Sequence, residues 1–400
     1  MARQPESAVA PRGGVSAFAL IFAIVLLDVL GATLLFPVTA YLVRLYNSDA
    51  LTVGALSAIY AAAQFVAAPL LGQLSDRYGR RPVLLFCLAG SVFGYLLFGI
   101  GGALWVLFVS RVIAGLAGGS LSVAQAYLAD LTPPAERAKS YALLGAAFGL
   151  GFIIGPALGG GLSMFGLAAP AFAAGGLSLL ALIASFFLLP ESLPPVQRTH
   201  HAFTLRTLNP LAAIGDMVRR SGVGALLLAA VAFNIAFSGM TSTITVFVID
   251  RYAAQPLDIA ALFTVGGLIS VITQAGFVYR MAPRIGERRL ALAGLILLVL
   301  GYVGIAVAPT LPALYPISAF SWIGNALLLP TLTALISQAV SAQEQGVVAG
   351  VNASLSSLTS AVGPLLAGAV YDAYSPGAPY LVGAAFLLCA LLLLVRVNRR

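Results

Sequence analysis

Gly72-Gln-Leu-Ser-Asp-Arg-Tyr-Gly-Arg-Arg81 is the stretch that decides the fold. It forms a polar island between two apolar runs, 52–72 and 83–101, and returns in looser form as Tyr279-Arg-Met-Ala-Pro-Arg-Ile-Gly-Glu-Arg288, 207 residues later. A second pair of echoes, Gly155-Pro-Ala-Leu-Gly-Gly160 and Gly363-Pro-Leu-Leu-Ala-Gly368, repeats at an offset of 208. Two unrelated motifs recurring at nearly one spacing imply a unit of half the chain used twice. That arrangement lets one half rock against the other around a site at the midplane of a membrane.

Around these islands the chain is apolar almost throughout. Of its 400 residues 60% are hydrophobic and 8% charged, and the mean hydropathy is +1.01, which a water-facing surface does not sustain. A helix needs roughly 20 apolar residues to cross a bilayer. Twelve such runs occur, at 16–40, 52–72, 83–101, 104–129, 139–162, 168–189, 223–248, 258–280, 289–308, 312–340, 347–371 and 378–396. They predict an all-α integral membrane protein of two six-helix bundles, 1–189 and 223–400. The linker between them, 190–222, is polar and holds Pro194, Pro195, Arg198, His200, His201 and Arg206. The first run is too long for the core of a signal peptide and lacks a cleavage site, so it is expected to remain as helix 1.

With the amino terminus inside, 18 of the 21 lysines and arginines fall in cytoplasmic segments, Arg44 and Arg251 face outward, and Arg111 lies within helix 4. Positive loops stay cytoplasmic. Both termini are therefore expected on that side of a plasma (inner) membrane crossed many times. The net charge of +8 punctuates loops and does not interleave with stacking aromatics, so nucleic acid is not an expected partner. Cys87 and Cys389 sit inside apolar runs and are expected as core residues, and His200 and His201 read as solvated linker. The chain has no phosphate-binding glycine loop with its lysine, no helical metalloprotease pair and no nucleophile–base set. Neither an enzyme nor an ATP-driven pump is expected, and no cofactor or metal.

Read physically, 72–81 is a tight cytoplasmic turn. Gly72 and Gly79 permit close backbone approach, Asp76 can cap a helix or accept from an arginine, and Arg77, Arg80 and Arg81 can bind carboxylates or lipid phosphates. An ordinary positive loop explains the charges but not the aspartate and paired glycines. In helix 5, Gly151, Gly155 and Gly159 recur four apart beside Pro156 and Gly160, baring one side of the helix for close packing, with a kink at the proline.

At these residues the chain resembles the major facilitator superfamily, matching its signature loop after helix 2 at each characteristic position. The resemblance implies that Asp76 and Arg80 belong to a charge–dipole latch tying the amino half to helix 11 in the outward-facing state. The glycine–proline stretch of helix 5 looks like the antiporter motif of the drug-efflux branch, where it helps seal the helix interface. Leu27-Asp28-Val29, Phe36-Pro37, Tyr60-Ala-Ala-Ala-Gln64, Ser110-Arg111 through Gly119, and Glu344-Gln345-Gly346 are similar to the twelve-span tetracycline and multidrug antiporters. The resemblance implies proton-coupled efflux of lipophilic small molecules by a monomer, with a small-molecule substrate, protons and membrane lipid as partners. A sugar, metabolite or lysolipid transporter of the same fold is the near alternative; a membrane enzyme or receptor is the distant one. Where tetracycline exporters carry further acidic and histidine residues, this chain has Gly94, Ser270 and Leu298, which puts tetracycline itself and that proton relay in doubt.

An ionisable group at membrane depth costs at least ~2.5 kcal/mol on insertion scales and is a functional candidate by default. Asp28 lies ~18 Å into helix 1 and Arg111 ~10 Å into helix 4 from the opposite side, at similar depth. They can approach each other or share a water cluster, either coupling a proton to transport or simply holding the amino half together. Gln64, Gln125, Asn234, Gln274, Asn325 and Asn352 are candidate cavity residues that can equally bond a neighbouring helix. Tyr60, Phe65, Phe233, Phe237 and Trp322 can wall an aromatic pocket or face lipid. Asp130, Glu136, Arg137, Lys139 and Glu344 are expected at surface contacts between the halves.

Overall fold

Lipid offers the backbone no hydrogen-bond partner, so a chain this apolar satisfies its own amides, and helices do so segment by segment. The structure, a computed structural model, describes residues 17–47, 49–132, 137–198, 210–220, 222–341 and 344–396. Arg206, His200, His201 and Glu136 lie outside them, as do the side chains of Arg137 and Lys139. Among the described residues there are twelve helices long and apolar enough to cross a membrane, and no strand. They are α1 Ala17–Leu34, α2 Ala50–Tyr78, α3 Arg80–Ile100, α4 Leu104–Leu131, α5 Arg137–Leu162, α6 Ala169–Leu188, α7 Val223–Tyr252, α8 Pro256–Ile285, α9 Glu287–Val307, α10 Leu311–Gln338, α11 Gln345–Ala373 and α12 Ala378–Arg396. An even number of crossings returns the chain to the face it left, called here the terminal face; the opposite side is the far face.

Three departures from the expected boundaries matter. Helix 1 stops at Leu34 instead of 40: the chain turns through Phe36 and Pro37, whose ring removes an amide donor, into a short helix Thr39–Arg44. The polar island 72–81 is mostly not a loop, because α2 runs on to Tyr78 and α3 begins at Arg80. Only Gly79 breaks it, at φ 109°, and Gly286 does the same between α8 and α9 at φ 88°; both are conformations that a side chain would strain. Finally, α4 is interrupted at Gly118 and Gly119, so that a fresh helix begins at Ser120. By contrast α5 passes Pro156 without interruption.

The repeated glycines show why the halves match. In α5, a Cβ on Gly155 would collide with Thr33 of α1, and one on Gly160 with Ala260 of α8. In α11, a Cβ on Gly363 would collide with Ser238 of α7, and one on Gly368 with Leu51 of α2. Each of these two helices thus packs on the first helix of its own half and on the second helix of the other, related by a pseudo-two-fold. Thr33 Oγ1 donates to the Gly151 carbonyl at 2.9 Å, a bond reachable only because glycine lets the backbones close up.

The apolar core is continuous across both halves at the far face, where Leu34, Leu42 and Leu56 join Val246, Ile259 and Phe263. At the terminal face the amino half keeps a core of its own, built on Ile21, Leu84, Val123 and Leu144. Gly72, Gly145, Gly276 and Gly350, all on the terminal-face side of these interface helices, have open space where a Cβ would stand. The halves are closed together at the far face and diverge toward the terminal face.

Candidate functional site

Between the halves lies a cavity of about 400 Å³, lined from α1, α2, α3, α4, α7, α8 and α11. Phe36, Phe237 and Phe263 make its apolar wall, and Tyr60, Gln64, Tyr95 and Arg111 its polar corner. Gln64 Nε2 donates to the Gly118 carbonyl at 2.8 Å. The interruption of α4 frees that carbonyl, so Gln64 both lines the cavity and repairs the break.

Asp28 sits at the same break. Ser120 Oγ donates to its Oδ2 at 2.6 Å, and Ser91 is also in hydrogen-bonding range. Ser120 opens the second segment of α4, so the carboxylate faces the start of a helix, where negative charge is favoured. The expected approach of Asp28 and Arg111 is not made. Arg111 stands nine residues before Ser120, about 13 Å along the helix. Its guanidinium lies over the Phe98 ring at 4.2 Å and near Tyr95 at 5.7 Å.

The other predicted cavity residues divide. Tyr60, Phe237, Gln64 and Arg111 line the cavity. Asn234 bonds Ser356 at 3.1 Å, joining α7 to α11, and Phe233 is buried and stacked on Phe237. Trp322 packs over Gly266 and meets Phe263 edge-on, outside the lining. Gln125 is exposed, and so is Gln274, in the π-helical turn Thr273–Val278 of α8. Asn325 and Asn352 each keep a buried, unpartnered Oδ1 away from the cavity. Of the three positions that differ from the tetracycline exporters, Gly94 packs against Ala114, Leu298 is fully buried, and Ser270 has a buried, unpartnered hydroxyl; none lines the cavity.

Sequence reasoning missed Tyr95 and a row of hydroxyls, Ser238, Thr241, Ser242 and Thr245, that forms the α7 wall. Their spacing, one face of a helix over two turns, was the available signal. Ser238, Thr241 and Ser242 each donate to a carbonyl of their own helix, and so offer lone pairs to the cavity.

The far face is held by polar contacts between the halves. Arg44 pairs with Asp250 at 2.5 Å, and Tyr41 donates to the Ala254 carbonyl. Asp372, at the end of α11, accepts from the amides of Ala50 and Leu51 at 3.0 and 2.8 Å, capping α2 from the other half. Asp49 makes no side-chain cap there.

At the terminal face the ion pairs among the described residues stay within a half or reach its linker. Arg80 pairs with Asp76 at 2.6 Å and with Asp130 at 3.0 Å, and its amide donates to Glu191 at 2.8 Å. Arg81 donates to the Phe186 carbonyl, and Arg77 is exposed beside Tyr78. The tie from Asp76 and Arg80 to helix 11 is not made in this conformation. Gly79 is pressed against the Glu191 carboxylate as close approach required, but Gly72 has no neighbour that needs its missing side chain. Asp130 and Glu344, expected to bridge the halves, bond Arg80 and Arg220 respectively, because the diverging terminal face leaves them only neighbours on their own side.

The Major Facilitator Superfamily model matches residues 21–311 and again 275–400. The chain is 35% identical over 381 residues to the tetracycline resistance protein, class C, of Escherichia coli, covering 94% of this chain and 95% of that one. It is 31% identical to multidrug resistance protein 2 of Bacillus subtilis (strain 168), with 86% of each covered. Its fold is similar to the crystal structure of the human organic anion transporter MFSD10 (TETRAN), with a TM-score of 0.72, 28% identity, and 94% and 98% of the two chains covered.

Proposed function

Given that this chain belongs to the Major Facilitator Superfamily, a family of transporters and not of enzymes, we propose that it exports lipophilic small molecules in exchange for protons by alternating access. It works as a monomer in the plasma (inner) membrane, with both termini cytoplasmic. The terminal face is then the cytoplasmic one, and the conformation described above is inward-facing. The observation that carries the reading is the cavity of about 400 Å³ between two halves sealed on one side only, with Asp28 outside the lining but one helical turn along α1 from the lining residue Ala32.

In this mechanism Asp28 is the proton carrier. As a carboxylate it accepts from Ser120 and faces the start of a helical segment; protonated, it loses the charge that both interactions favour. Where the other access state does not keep these contacts, protonation changes the relative stability of the two, which is what a gradient needs to drive a cycle. Asp76 and Arg80 stabilise the outward-facing state, so their idle arrangement here suits an inward-facing one. The glycine faces of α5 and α11 keep the seams tight while the halves rock.

The test is efflux of a fluorescent lipophilic probe from cells expressing the protein, with and without a protonophore, beside Asp28→Asn. Protonophore-sensitive efflux that the variant loses, at unchanged expression and unfolding temperature, supports the reading. Gradient-driven efflux that survives in Asp28→Asn removes Asp28 from the mechanism.

A further inference from the structure

The repeat that sets Arg77, Arg80 and Arg81 at the turn from α2 to α3 sets Arg284, Glu287 and Arg288 at the turn from α8 to α9. The two corners are bonded alike. Arg81 donates to the Phe186 carbonyl near the end of α6, and Arg288 Nη2, 207 residues on, donates to the carbonyls of Leu394 and Val395 at 3.3 and 3.0 Å, near the end of α12. Their charges are balanced differently. The amino corner brings three carboxylates of its own, with Asp76 and Asp130 on the Arg80 guanidinium and Glu191 on the first amides of α3. At offsets of 207 to 208 the carboxy half has Pro283, Ser337 or Gln338, and Arg399, none of them an acid.

What remains is a basic corner at the terminal face. Arg280, Arg284, Arg289 and Arg396 are exposed, Arg288 is tied to the end of α12, and none of them has an ion-pair partner among the described residues. Glu287 is the single acid between 279 and 289, and it sits in the first turn of α9, where the helix start favours it. Val278, Met281 and Ala282 pack inward against Leu290 and Leu327, so Arg280 and Arg284, one turn apart, project from the opposite side of α8. Phe277 and Tyr279, 46% and 82% exposed, add apolar surface beside them. An excess of arginine on one face of a membrane protein accounts for the number of charges. It does not account for two corners of one design of which only one keeps its acids. We propose that the corner of α8, α9 and α12 binds the headgroup of an anionic phospholipid: phosphate oxygens on Arg280 and Arg284, the field of Arg288, Arg289 and Arg396 behind them, and the acyl chains along α8 past Phe277. A lipid is the source of phosphate that suits a site at the end of a membrane crossing with exposed aromatics at its edge. The site does not depend on the exporter reading.

The experiment is native mass spectrometry of the full chain in detergent at fixed ionic strength, titrated with phosphatidylglycerol or with phosphatidylcholine of the same acyl chains. It reads the affinity of the first lipid bound. The wild type is expected to hold phosphatidylglycerol about tenfold tighter than phosphatidylcholine. Arg280→Gln with Arg284→Gln loses most of that preference. Arg77→Gln with Arg219→Gln removes the same charge from the same face and keeps it. Pro283→Asp, which gives the corner a carboxylate where its amino twin has Asp76, lowers the preference several-fold. Equal binding of the two lipids by the wild type overturns the proposal, and so does a preference that survives Arg280→Gln with Arg284→Gln. A preference lost equally in Arg77→Gln with Arg219→Gln also overturns it, because the charge of the whole face would then be what the lipid reads. Displacement of phosphatidylglycerol by millimolar inorganic phosphate would give the corner to a soluble anion and overturn the lipid. If the Arg280 and Arg284 double variant does not fold, Pro283→Asp decides: a lowered preference supports the site and an unchanged one overturns it.

Discussion

At the scale of single residues, the chain spends its few polar groups in two ways that composition does not distinguish. Asp28 and Arg111 were both legible as charges at membrane depth, yet they do not meet, because the Gly118–Gly119 break hands Asp28 a nearer partner in Ser120. Gly155 carries a different prediction. Its missing Cβ is the space in which Thr33 sits, so Gly155→Val should lower stability by about 1–3 kcal/mol through overpacking. Thermal unfolding in detergent measures it; an unchanged midpoint would show that α1 and α5 can separate freely. Glu344 offers a titration. The hydrogen bond from Arg220, then those from Ser341, hold its carboxyl below the usual carboxylate range. A depressed pKa means the pair contributes above the ordinary carboxylate value and is lost as pH falls through the lowered one. Replacing Arg220 by Gln should move the Glu344 titration upward, which site-specific labelling and NMR would record; an unmoved titration would dismiss the pair.

At the scale of elements, the two interface helices end in matching devices. The resemblance assigns Asp76, at the end of α2, to a latch on helix 11. Asp372, at the end of α11, makes the mirror contact in the present conformation, its carboxylate on the first amides of α2. Helix starts favour negative charge, so Asp372 can hold the far face closed here, while the matching role of Asp76 at the other face is what the resemblance implies. Asp372→Asn should therefore weaken far-face closure, raising thiol labelling of a cysteine at Leu51 several-fold while labelling at Gly350 falls. Equal labelling with and without Asp372 would leave the cap without a role in gating. The length of α2 was not legible, since Asp76, Arg77 and Tyr78 read as loop when only Gly79 breaks the helix. Charged residues end a membrane crossing; they do not end a helix, whose backbone bonds are indifferent to what lies outside.

At the scale of the molecule, the two halves are closed at one face and diverge at the other, and the proposed alternating access requires them to rock. Joining the far face covalently should stop it. A short thiol-reactive cross-linker between Arg44→Cys and Asp250→Cys is expected to abolish transport while cysteines at the terminal face stay fully reactive. Transport that continues under complete cross-linking would exclude opening at that face.

Some of this architecture was written locally. The number of crossings, the division into halves and the repeat follow from apolar length and from glycines at fixed spacing, because a continuous apolar run of this length satisfies its own amides in lipid as a helix. Gly155 and Gly363 could be read as contact faces for the same reason: a missing side chain matters only where something fills the gap. Which way each helix turns about its axis was not written there. In water, the polar face of a helix marks its outside; in lipid, both the outside and the packed inside are apolar, so Gln64 on the cavity and Gln125 away from it look alike in sequence. Only the packing of α5 on α8 and α11 on α2 settled that rotation, and with it the row of α7 hydroxyls, the cap by Asp372 and the unpartnered edge of Arg111.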